Sequence, residues 1–221
     1  MPAANNTPTP DWDQILSAVA RWQREFPAAV RVGRTVAAIH AHHRMSFDAD
    51  HVLANLRARF EDVLGQLESI AGWTTARVRR PVLIPGSLDG IETGVRQLVR
   101  SQPLETETVM HSGCTITVPT AAEIMRIKAV LILRRNALRD YIDFAALGSR
   151  MTVRESADAM RSFDALYPQT NGESALQQLL VQLAAPRPYD LDESNIQRYR
   201  DLSADLRDWT QIGSGSRLAD L

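Results

Sequence analysis

Two closely spaced aspartates, Asp48 and Asp50, are the residues of this sequence whose types and spacing best fit catalytic chemistry. Residues 47–53 stand where a short strand is expected to follow a helix, so both carboxylates are predicted to project from the same face. Two carboxylates on one face repel each other unless a divalent cation or a basic neighbour lies there. Mg²⁺ fits, since it takes hard oxygen ligands and usually shares them with substrate phosphates. The alternative is a solvated loop, on which such a short motif also occurs.

Gly33 marks a second candidate site just before these aspartates. A short apolar run over residues 28–32 predicts a strand that ends in a tight turn at Gly33, and residues 35–42 are typical of a helix. A strand, a glycine turn and a helix start together present backbone N–H groups to an anion. We therefore expect a phosphate-binding turn close to the two carboxylates.

Lys128 is the only lysine among the 25 basic residues of the chain. A coding bias toward arginine explains the other basic residues, but it does not explain why one lysine is kept. Lysine carries a compact point charge and arginine a planar fork, so a site that needs the former does not accept the latter. Lys128 is therefore a candidate functional residue on composition alone.

Composition sets outer limits on the class of protein. The chain has 221 residues, 44% of them hydrophobic and 23% charged, with a net charge of −1 and a single cysteine. These values exclude extensive disorder, a disulfide framework and a multi-thiolate metal site. No apolar run approaches the roughly 20 residues of a membrane span, and no leader opens the chain, so a cytoplasmic protein with no membrane contact is expected.

The pattern of elements predicts an α/β fold, with a small mixed-sheet core followed by a helical C-terminal lobe. Helices are expected at 11–26, 35–42 and 55–70, strands within 73–84, 91–99 and 114–118, and a turn at 85–90. From Thr120, which with Glu123 is typical of a capping box, helices are expected at 120–135, 139–147, 153–166, 173–184 and 196–209. The predicted division is a tail at 1–10, the core at 11–118, the helical lobe at 119–211 that completes the active site, and a tail at 212–221.

Two groups of residues together resemble the AbiEii/AbiGii-type toxin family of the nucleotidyltransferase superfamily, which includes the MenT-like toxins. The first group has the family's order and spacing from a glycine to an acidic pair: Gly33, Thr35, Arg44, Ser46, Asp48 and Asp50. The second is similar to the family's later signature, a helix with one lysine and then an Arg-Asp-x-x-Asp segment: Lys128, Arg135, Arg139, Asp140 and Asp143. The sole lysine of the chain falls on the family's lysine.

This resemblance implies a role for each matched residue. Asp48 and Asp50 are expected to hold Mg²⁺ against the triphosphate of a nucleotide. The implied catalytic set adds Lys128, Asp140 and Asp143, the two aspartates either orienting Lys128 and Arg139 or taking a proton from the acceptor hydroxyl. The implied nucleotide-binding set is Gly33, Arg34, Thr35, Arg44, Ser46, Lys128 and Arg139.

The activity that the resemblance implies is Mg²⁺-dependent transfer of a nucleoside monophosphate from an NTP to an RNA acceptor, with tRNA expected first. Such chains usually act as the toxin beside a cognate antitoxin protein. Two alternatives stay open: transfer to a small molecule or a protein hydroxyl, and a degenerate member that only binds a nucleotide or a partner. Arg34 after the glycine, and a strand at 95–100 without a third carboxylate, favour the degenerate form. The aspartate pair and Lys128 favour the enzyme.

Several other residue groups have ordinary structural interpretations. Four histidines near the acidic pair suggest a zinc site, but structural roles are preferred for them: His40, His42, His43 and His51. The arginines of the chain are expected to be mostly a solvated surface. Where they gather on the catalytic face, they offer phosphate contacts to an RNA despite the neutral total charge.

Overall fold

A computed structural model describes residues 12–43, 49–111 and 113–191, together with residues 196, 202, 204–207 and 209. These residues form a five-stranded mixed sheet, a separate two-stranded hairpin and eight α-helices. The mixed α/β fold class predicted from the sequence is confirmed. The residue boundaries predicted for a core and a helical lobe stay a prediction.

The first part of the chain alternates helices with the strands of the main sheet. Its elements are α1 (Trp12–Glu25), β1 (Val30–Arg31), α2 (Arg34–Ala41), β2 (Ala49–Leu53), α3 (Phe60–Glu68), β3 (Trp73–Thr75), β4 (Leu83–Leu88) and β5 (Ile91–Gln97). The strand order across the sheet is β1-β2-β5-β4-β3. Among these described strands, only the central pair, β2 and β5, is parallel.

The register of this parallel pair decides which side chains share a face of the sheet. Asp50 lies opposite Gly94, and Val52 lies opposite Arg96. Side chains alternate along each strand, so these four residues are on one face. The other face is packed: His51 and Val95 are fully buried, and the His51 ring stacks on Trp22 of α1 with 3.9 Å between centroids. The apolar core therefore lies on the α1 side, and Asp50 points away from it.

The second part of the chain is a hairpin followed by helices. Its elements are β6 (Thr106–His111), β7 (Cys114–Pro119), α4 (Ala121–Arg135), α5 (Leu138–Gly148), α6 (Val153–Met160), α7 (Phe163–Leu166) and α8 (Ala175–Ala184). Helix α4 contacts α2, α5, α6 and α8, so it is central to this part of the structure. Asn136 ends α4 in the left-handed conformation, with φ of 46°, which confirms the predicted break before α5.

Several predicted element bounds need correction. The predicted turn at 85–90 is mostly strand: β4 continues through Leu88, and only Asp89 and Gly90 have positive φ. Gly86 permits this, because a Cβ there would lie 2.5 Å from the Trp73 side chain of the neighbouring strand. The predicted helix at 55–70 begins as a 3₁₀ turn, and α3 itself begins at Phe60.

Other differences lie in the second part of the chain. Strand β6 was not predicted, although it pairs along its whole length with β7. The predicted helix at 153–166 is divided into α6 and α7. The predicted helix at 196–209 lies mostly outside the described residues, and what is described there is a 3₁₀ turn at Ala204–Leu206.

The predicted capping box at the start of α4 is half correct. The Thr120 hydroxyl accepts a hydrogen bond from the Glu123 backbone N–H at 3.1 Å, as expected. The Glu123 carboxylate does not return to Thr120; it accepts hydrogen bonds from Arg100 and Arg126, both of them buried. Two guanidinium donors bind a buried carboxylate more strongly than one backbone N–H does. The Thr120 N–H donates to the Glu105 carbonyl instead.

Because α4 carries Lys128, its N-cap stabilises the part of the molecule that holds this residue. We expect Thr120→Ala to lower the free energy of unfolding by about 1 kcal/mol, since one backbone N–H then loses its side-chain acceptor. Thr120→Ser keeps the hydroxyl and is the matched control. Urea denaturation followed by circular dichroism measures both, and equal midpoints for the two variants would contradict the assigned cap.

Candidate functional site

A cavity of about 270 Å³ lies between the Asp50 face of the sheet and helices α4 and α5. Gly33, Asp50 and Arg96 line it from the sheet side. Lys128, Arg135 and Arg139 line it from the helices. The cavity is therefore lined by residues that are far apart in the sequence. They come from both groups of residues that carried the family resemblance.

Gly33 connects β1 to α2 at the edge of this cavity. Its φ of 93° is a conformation that side chains with a Cβ rarely adopt, which accounts for the glycine. The preceding Val32 N–H donates to the Asp50 carbonyl at 2.9 Å, so the turn is fastened to β2. A Cβ on Gly33 would lie 3.8 Å from the Asp50 Cβ. The N-terminus of α2 therefore begins directly beside Asp50, as the sequence predicted.

Arg96 is the charged neighbour of Asp50 on the sheet. Its guanidinium lies 3.6 Å from Asp50 Oδ2, and the two side chains are 49% and 35% exposed. It lies on the strand in which the sequence offers no third carboxylate, and the nearest acid on that strand is Glu92 near its start. The described part of β5 therefore places a cation, not an acid, beside Asp50.

Lys128 is held by two buried aspartates of α5. Its side chain is 1% exposed, and Nζ lies 2.6 Å from Asp143 Oδ2 and 3.5 Å from Asp140 Oδ1. Asp140 also accepts two hydrogen bonds from Arg135, one of them 2.7 Å long. Both aspartates are fully buried behind Lys128. Their carboxylates fix the position of the ammonium group, and Lys128 is one of the residues that line the cavity.

His43 joins this cluster from the end of α2. Its Nε2 lies 2.8 Å from Asp143 Oδ1, and both side chains are buried. Asp143 therefore contacts Lys128 on one side and, on the other, the residue that directly precedes residues 44–48. Those five residues, with Arg44, Ser46 and Asp48, lie outside the described part of the chain.

The cavity wall is strongly positive. Six cationic side chains and one carboxylate, that of Asp50, line it among the described residues. Arg100 pairs with Glu123, Arg135 with Asp140, Lys128 with Asp143 and Arg96 with Asp50. Arg134 and Arg139 are the cations of the wall for which no ion pair is found among the described residues. The buried Nε of Arg139 has no hydrogen-bond partner in the described structure. Such a wall suits a ligand with several negative charges.

Part of the cavity lining is apolar. Leu98, Leu104, Val130 and Leu131 line it together with Tyr167. Burial raises the pKa of the Tyr167 phenol, so its hydroxyl stays protonated, and it accepts a hydrogen bond from Arg100 at 3.4 Å. One cavity thus combines cationic and apolar side chains in its lining, which suits a ligand with a charged and a flat apolar part.

The structure brings together part of the predicted site. Gly33, Asp50, Lys128 and Arg139 line the cavity, and Asp140 and Asp143 contact Lys128 from behind. Thr35 is buried in the first turn of α2. The backbone of Arg34 begins α2, while its side chain is outside the described part of the structure. The assignments of Arg34, Arg44, Ser46 and Asp48 stay predictions.

The donor set at the cavity fits Mg²⁺ better than a transition metal. Asp50 presents a half-exposed carboxylate to the cavity, and Mg²⁺ needs only one or two carboxylates beside substrate phosphates and water. Within the described residues, no cluster of three histidine, cysteine or acidic side chains is arranged to hold a metal. His40 contacts the Pro119 carbonyl and His51 stacks on Trp22, in agreement with the preferred structural roles of the histidines.

The sequence interpretation missed the roles of three residues. Arg135 lies seven residues, about two helical turns, after Lys128, so the 3.6-residue period indicates the face that they share. The contact of His43 with Asp143 spans a hundred residues, and local sequence gives no signal for it. The place of Arg96 beside Asp50 follows only from the register of β2 and β5.

Comparison with solved structures shows a nucleotidyltransferase-like fold. The antibiotic-resistance factor ANT(2'')-Ia superposes with a TM-score of 0.52 at 8% identity, over 74% of this chain and 94% of that one. A protein from H. pylori assigned as a nucleotidyltransferase superposes with a TM-score of 0.50 at 16% identity, over 93% of this chain and 90% of that one. At these identities the likeness shows the fold alone.

Sequence comparison gives a different and shorter match. The heme uptake protein MmpL11 of Mycobacterium tuberculosis is 36% identical over 99 residues, which is 43% of this chain and 10% of that protein. The mycolic acid-containing lipids exporter MmpL11 of Mycolicibacterium smegmatis is 31% identical over 120 residues, 53% of this chain and 13% of that protein. The chain thus spans about a tenth of the length of these relatives. No protein-family model matches the chain. No helix in the described ranges has both the length and the apolar character to cross a membrane.

Proposed function

We propose that this protein transfers a nucleoside monophosphate from an NTP to a hydroxyl acceptor. The observation that carries the proposal is that Asp50 and Lys128, from the two groups of residues matched to one family, face the same cationic cavity. A carboxylate for Mg²⁺, a fixed ammonium and surrounding arginines are the parts that nucleotide chemistry needs. The nucleotidyltransferase-like fold supports the same conclusion.

In this proposal the cationic and the apolar side chains of the cavity bind the two parts of the NTP. The triphosphate lies at the N-terminus of α2 beside Gly33, with Lys128 and Arg139 as its cationic contacts. The base lies against the apolar side chains of Leu104 and Tyr167. Arg34, Thr35, Arg44 and Ser46 complete the proposed nucleotide-binding set.

The reaction joins the acceptor oxygen to the α-phosphorus and breaks the bond to the β-phosphate, so that pyrophosphate leaves and the proton of the acceptor hydroxyl passes to water. Asp50, with Asp48, would hold Mg²⁺, which neutralises charge at the reacting phosphorus when bound. Lys128 stabilises the charge that develops on the phosphate oxygens. Asp140 and Asp143 keep its ammonium group in place.

The proposed acceptor is RNA, with tRNA first, and the proposed biological role is that of a toxin paired with an antitoxin protein. Both rest on the resemblance to the AbiEii/AbiGii-type family. The contact between Arg96 and Asp50 favours a second candidate, a non-catalytic member that binds a nucleotide, because Arg96 supplies Asp50 with a positive charge without any metal.

One experiment separates these candidates. The purified protein is incubated with Mg²⁺, each α-labelled NTP in turn and total tRNA, beside Asp48→Ala and Asp50→Asn. We expect label to enter tRNA with the intact protein alone. Label on the protein or on a small molecule would show that the acceptor is not RNA. Nucleotide binding by calorimetry that is independent of Mg²⁺, with no transfer of label, would support the non-catalytic candidate.

Arg139 offers a quantitative test of the nucleotide-binding assignment. We expect Arg139→Gln to raise the Kd for Mg²⁺–NTP about tenfold, since one charge-assisted contact to phosphate is worth about 1.5 kcal/mol or more. Stability should change little, because the buried Nε of Arg139 has no hydrogen-bond partner among the described residues that the substitution would remove. Calorimetric titration measures the Kd, and Arg154→Gln on the exposed side of α6 is the control. An unchanged Kd for Arg139→Gln would remove Arg139 from the site.

A further inference from the structure

A second groove lies beside the cavity, and the described residues that line it include three arginines and no carboxylate. We call it the arginine groove and define it by Arg57, Arg79, Arg96, Leu98 and Val99. Its volume is about 720 Å³, and all three arginines are exposed. The protein as a whole is nearly neutral, with a net charge of −1, so this positive patch is local.

Arg57 and Arg79 are exposed and form no ion pair within the described structure. Arg80, next in sequence to Arg79, pairs with Glu61, and Arg21 pairs with Asp89. No described carboxylate lies within 4.0 Å of Arg57 or Arg79, and Arg96 is shared with Asp50. Like charges gathered without counterions favour an anionic ligand that brings several charges at once.

The floor of the groove is fixed by one side chain, Gln97. Its amide donates to the Ala54 carbonyl at 2.6 Å and accepts from the Arg57 N–H at 2.7 Å. These bonds fasten the 3₁₀ turn that carries Arg57 to the end of β5. The groove is therefore a preformed surface, so little conformational entropy is lost when a ligand binds.

The groove opens into the cavity that holds Asp50. Arg96, Gln97, Leu98 and Val99 line both spaces. Val99, which lies between them, is 74% exposed, one of the most exposed large apolar side chains in the described structure. A ligand in the groove thus lies next to the cavity that Asp50 lines, with the apolar edge at Val99 between the two spaces.

We propose that the arginine groove binds the phosphodiester backbone of a single-stranded polynucleotide acceptor. Arg57 and Arg79 contact its phosphates, bases near its end lie against Leu98 and Val99, and the terminal hydroxyl reaches Asp50. This inference rests on the proposed transfer to RNA and adds the surface that selects RNA. It also explains why a nearly neutral protein needs no broad basic face: the charge is concentrated where the acceptor enters.

A polynucleotide fits this groove better than an acidic polypeptide does. Single-stranded RNA offers regularly spaced phosphates together with flat bases that contact apolar side chains, and the groove offers guanidinium groups together with Leu98 and Val99. Side-chain carboxylates of a polypeptide would satisfy the arginines and leave the exposed Val99 edge unused.

The test compares Arg57→Gln/Arg79→Gln with Arg154→Gln/Arg161→Gln. The second pair lies on or just after α6, is 92% and 81% exposed, and changes the net charge equally. Binding of total tRNA is measured by filter retention over a series of KCl concentrations. We expect the groove variant to bind about tenfold more weakly, with a salt slope lower by about 1.4 for two lost phosphate contacts, and the control to match wild type.

Two further readouts separate this proposal from the proposed function. Neither Arg57 nor Arg79 lines the cavity, so Mg²⁺–NTP binding and transfer to a dinucleotide acceptor should be unchanged in the groove variant. If the groove variant and the control variant had equal tRNA affinity and equal salt slope, the proposal that the arginine groove binds the polynucleotide would be wrong. If wild type bound poly-glutamate but not tRNA, and the groove variant lost that binding, the ligand of the groove would be an acidic polypeptide and not a polynucleotide. Failure of wild type to bind any NTP would instead overturn the proposed function.

Discussion

Replacing Asp50 with asparagine is expected to lower the rate of nucleotide transfer at least about a thousandfold, since charge neutralisation by a metal at the reacting phosphate contributes several kcal/mol. The substitution keeps the shape of the side chain and removes its negative charge. Asp50 is the carboxylate that the described residues place on the cavity wall, so no described acid takes over its role.

The same substitution should leave the fold nearly as stable as wild type. Asp50 is 35% exposed, and its ion pair with Arg96 is a partly solvated one at 3.6 Å. Such pairs contribute about 0–1 kcal/mol. Initial rates with α-labelled NTP, together with urea denaturation, measure the two effects. Asp62→Asn, on the exposed side of α3, is the control. Retained activity in Asp50→Asn would remove this residue from the catalytic centre.

Replacing Lys128 with methionine is expected to have the largest effect on stability. Lys128 is 1% exposed between two fully buried carboxylates, so its loss leaves negative charge uncompensated in the interior. Removing one partner of a buried pair costs about 3–5 kcal/mol. We expect the lower end, about 3 kcal/mol, because Arg135 still contacts Asp140 and His43 still contacts Asp143.

A double-mutant cycle tests whether this loss comes from charge. Lys128→Met/Asp143→Asn removes the cation and one of the two carboxylates, so it should be more stable than the sum of the single variants predicts. Lys128→Arg is also expected to destabilise, since the planar guanidinium does not fit the space of an ammonium 2.6 Å from Asp143. Denaturation midpoints give the coupling energy. If the stability losses of the two single variants added up to the loss of the double variant, Lys128 and Asp143 would not be coupled, and the buried cluster would be contradicted.

These predictions depend on features that the sequence indicated to different degrees. The element types around Gly33, Asp50 and Lys128 were predicted: the strand before Gly33 from its apolar run, the strand of Asp50 from its place after a helix, and the helix of Lys128 from its N-terminal capping residues. The rarity of lysine among the basic residues indicated Lys128 from composition alone. Chemistry that depends on residue type and short spacing is therefore accessible from the sequence.

Features that depend on long-range pairing were not accessible in this way. Strand β6 has few apolar residues, and its partner β7 satisfies its backbone, so local propensity gave no signal. Glu123 was predicted to cap α4, but its carboxylate binds Arg100 and Arg126, which tertiary packing brings to it. The arginine groove arises where the ends of β5 and β4 meet the turn after β2.

The central claim is nucleotidyl transfer, and the position of the label in the NTP tests it most directly. The protein is incubated with Mg²⁺, total tRNA and the same NTP labelled at either the α- or the γ-phosphorus, and pyrophosphate is quantified. We predict that α-label enters the RNA, that γ-label does not, and that one pyrophosphate is released for each transfer. Nucleotidyl transfer would be contradicted if the γ-label entered the RNA, or if the α-label stayed in the NTP for every nucleotide tested.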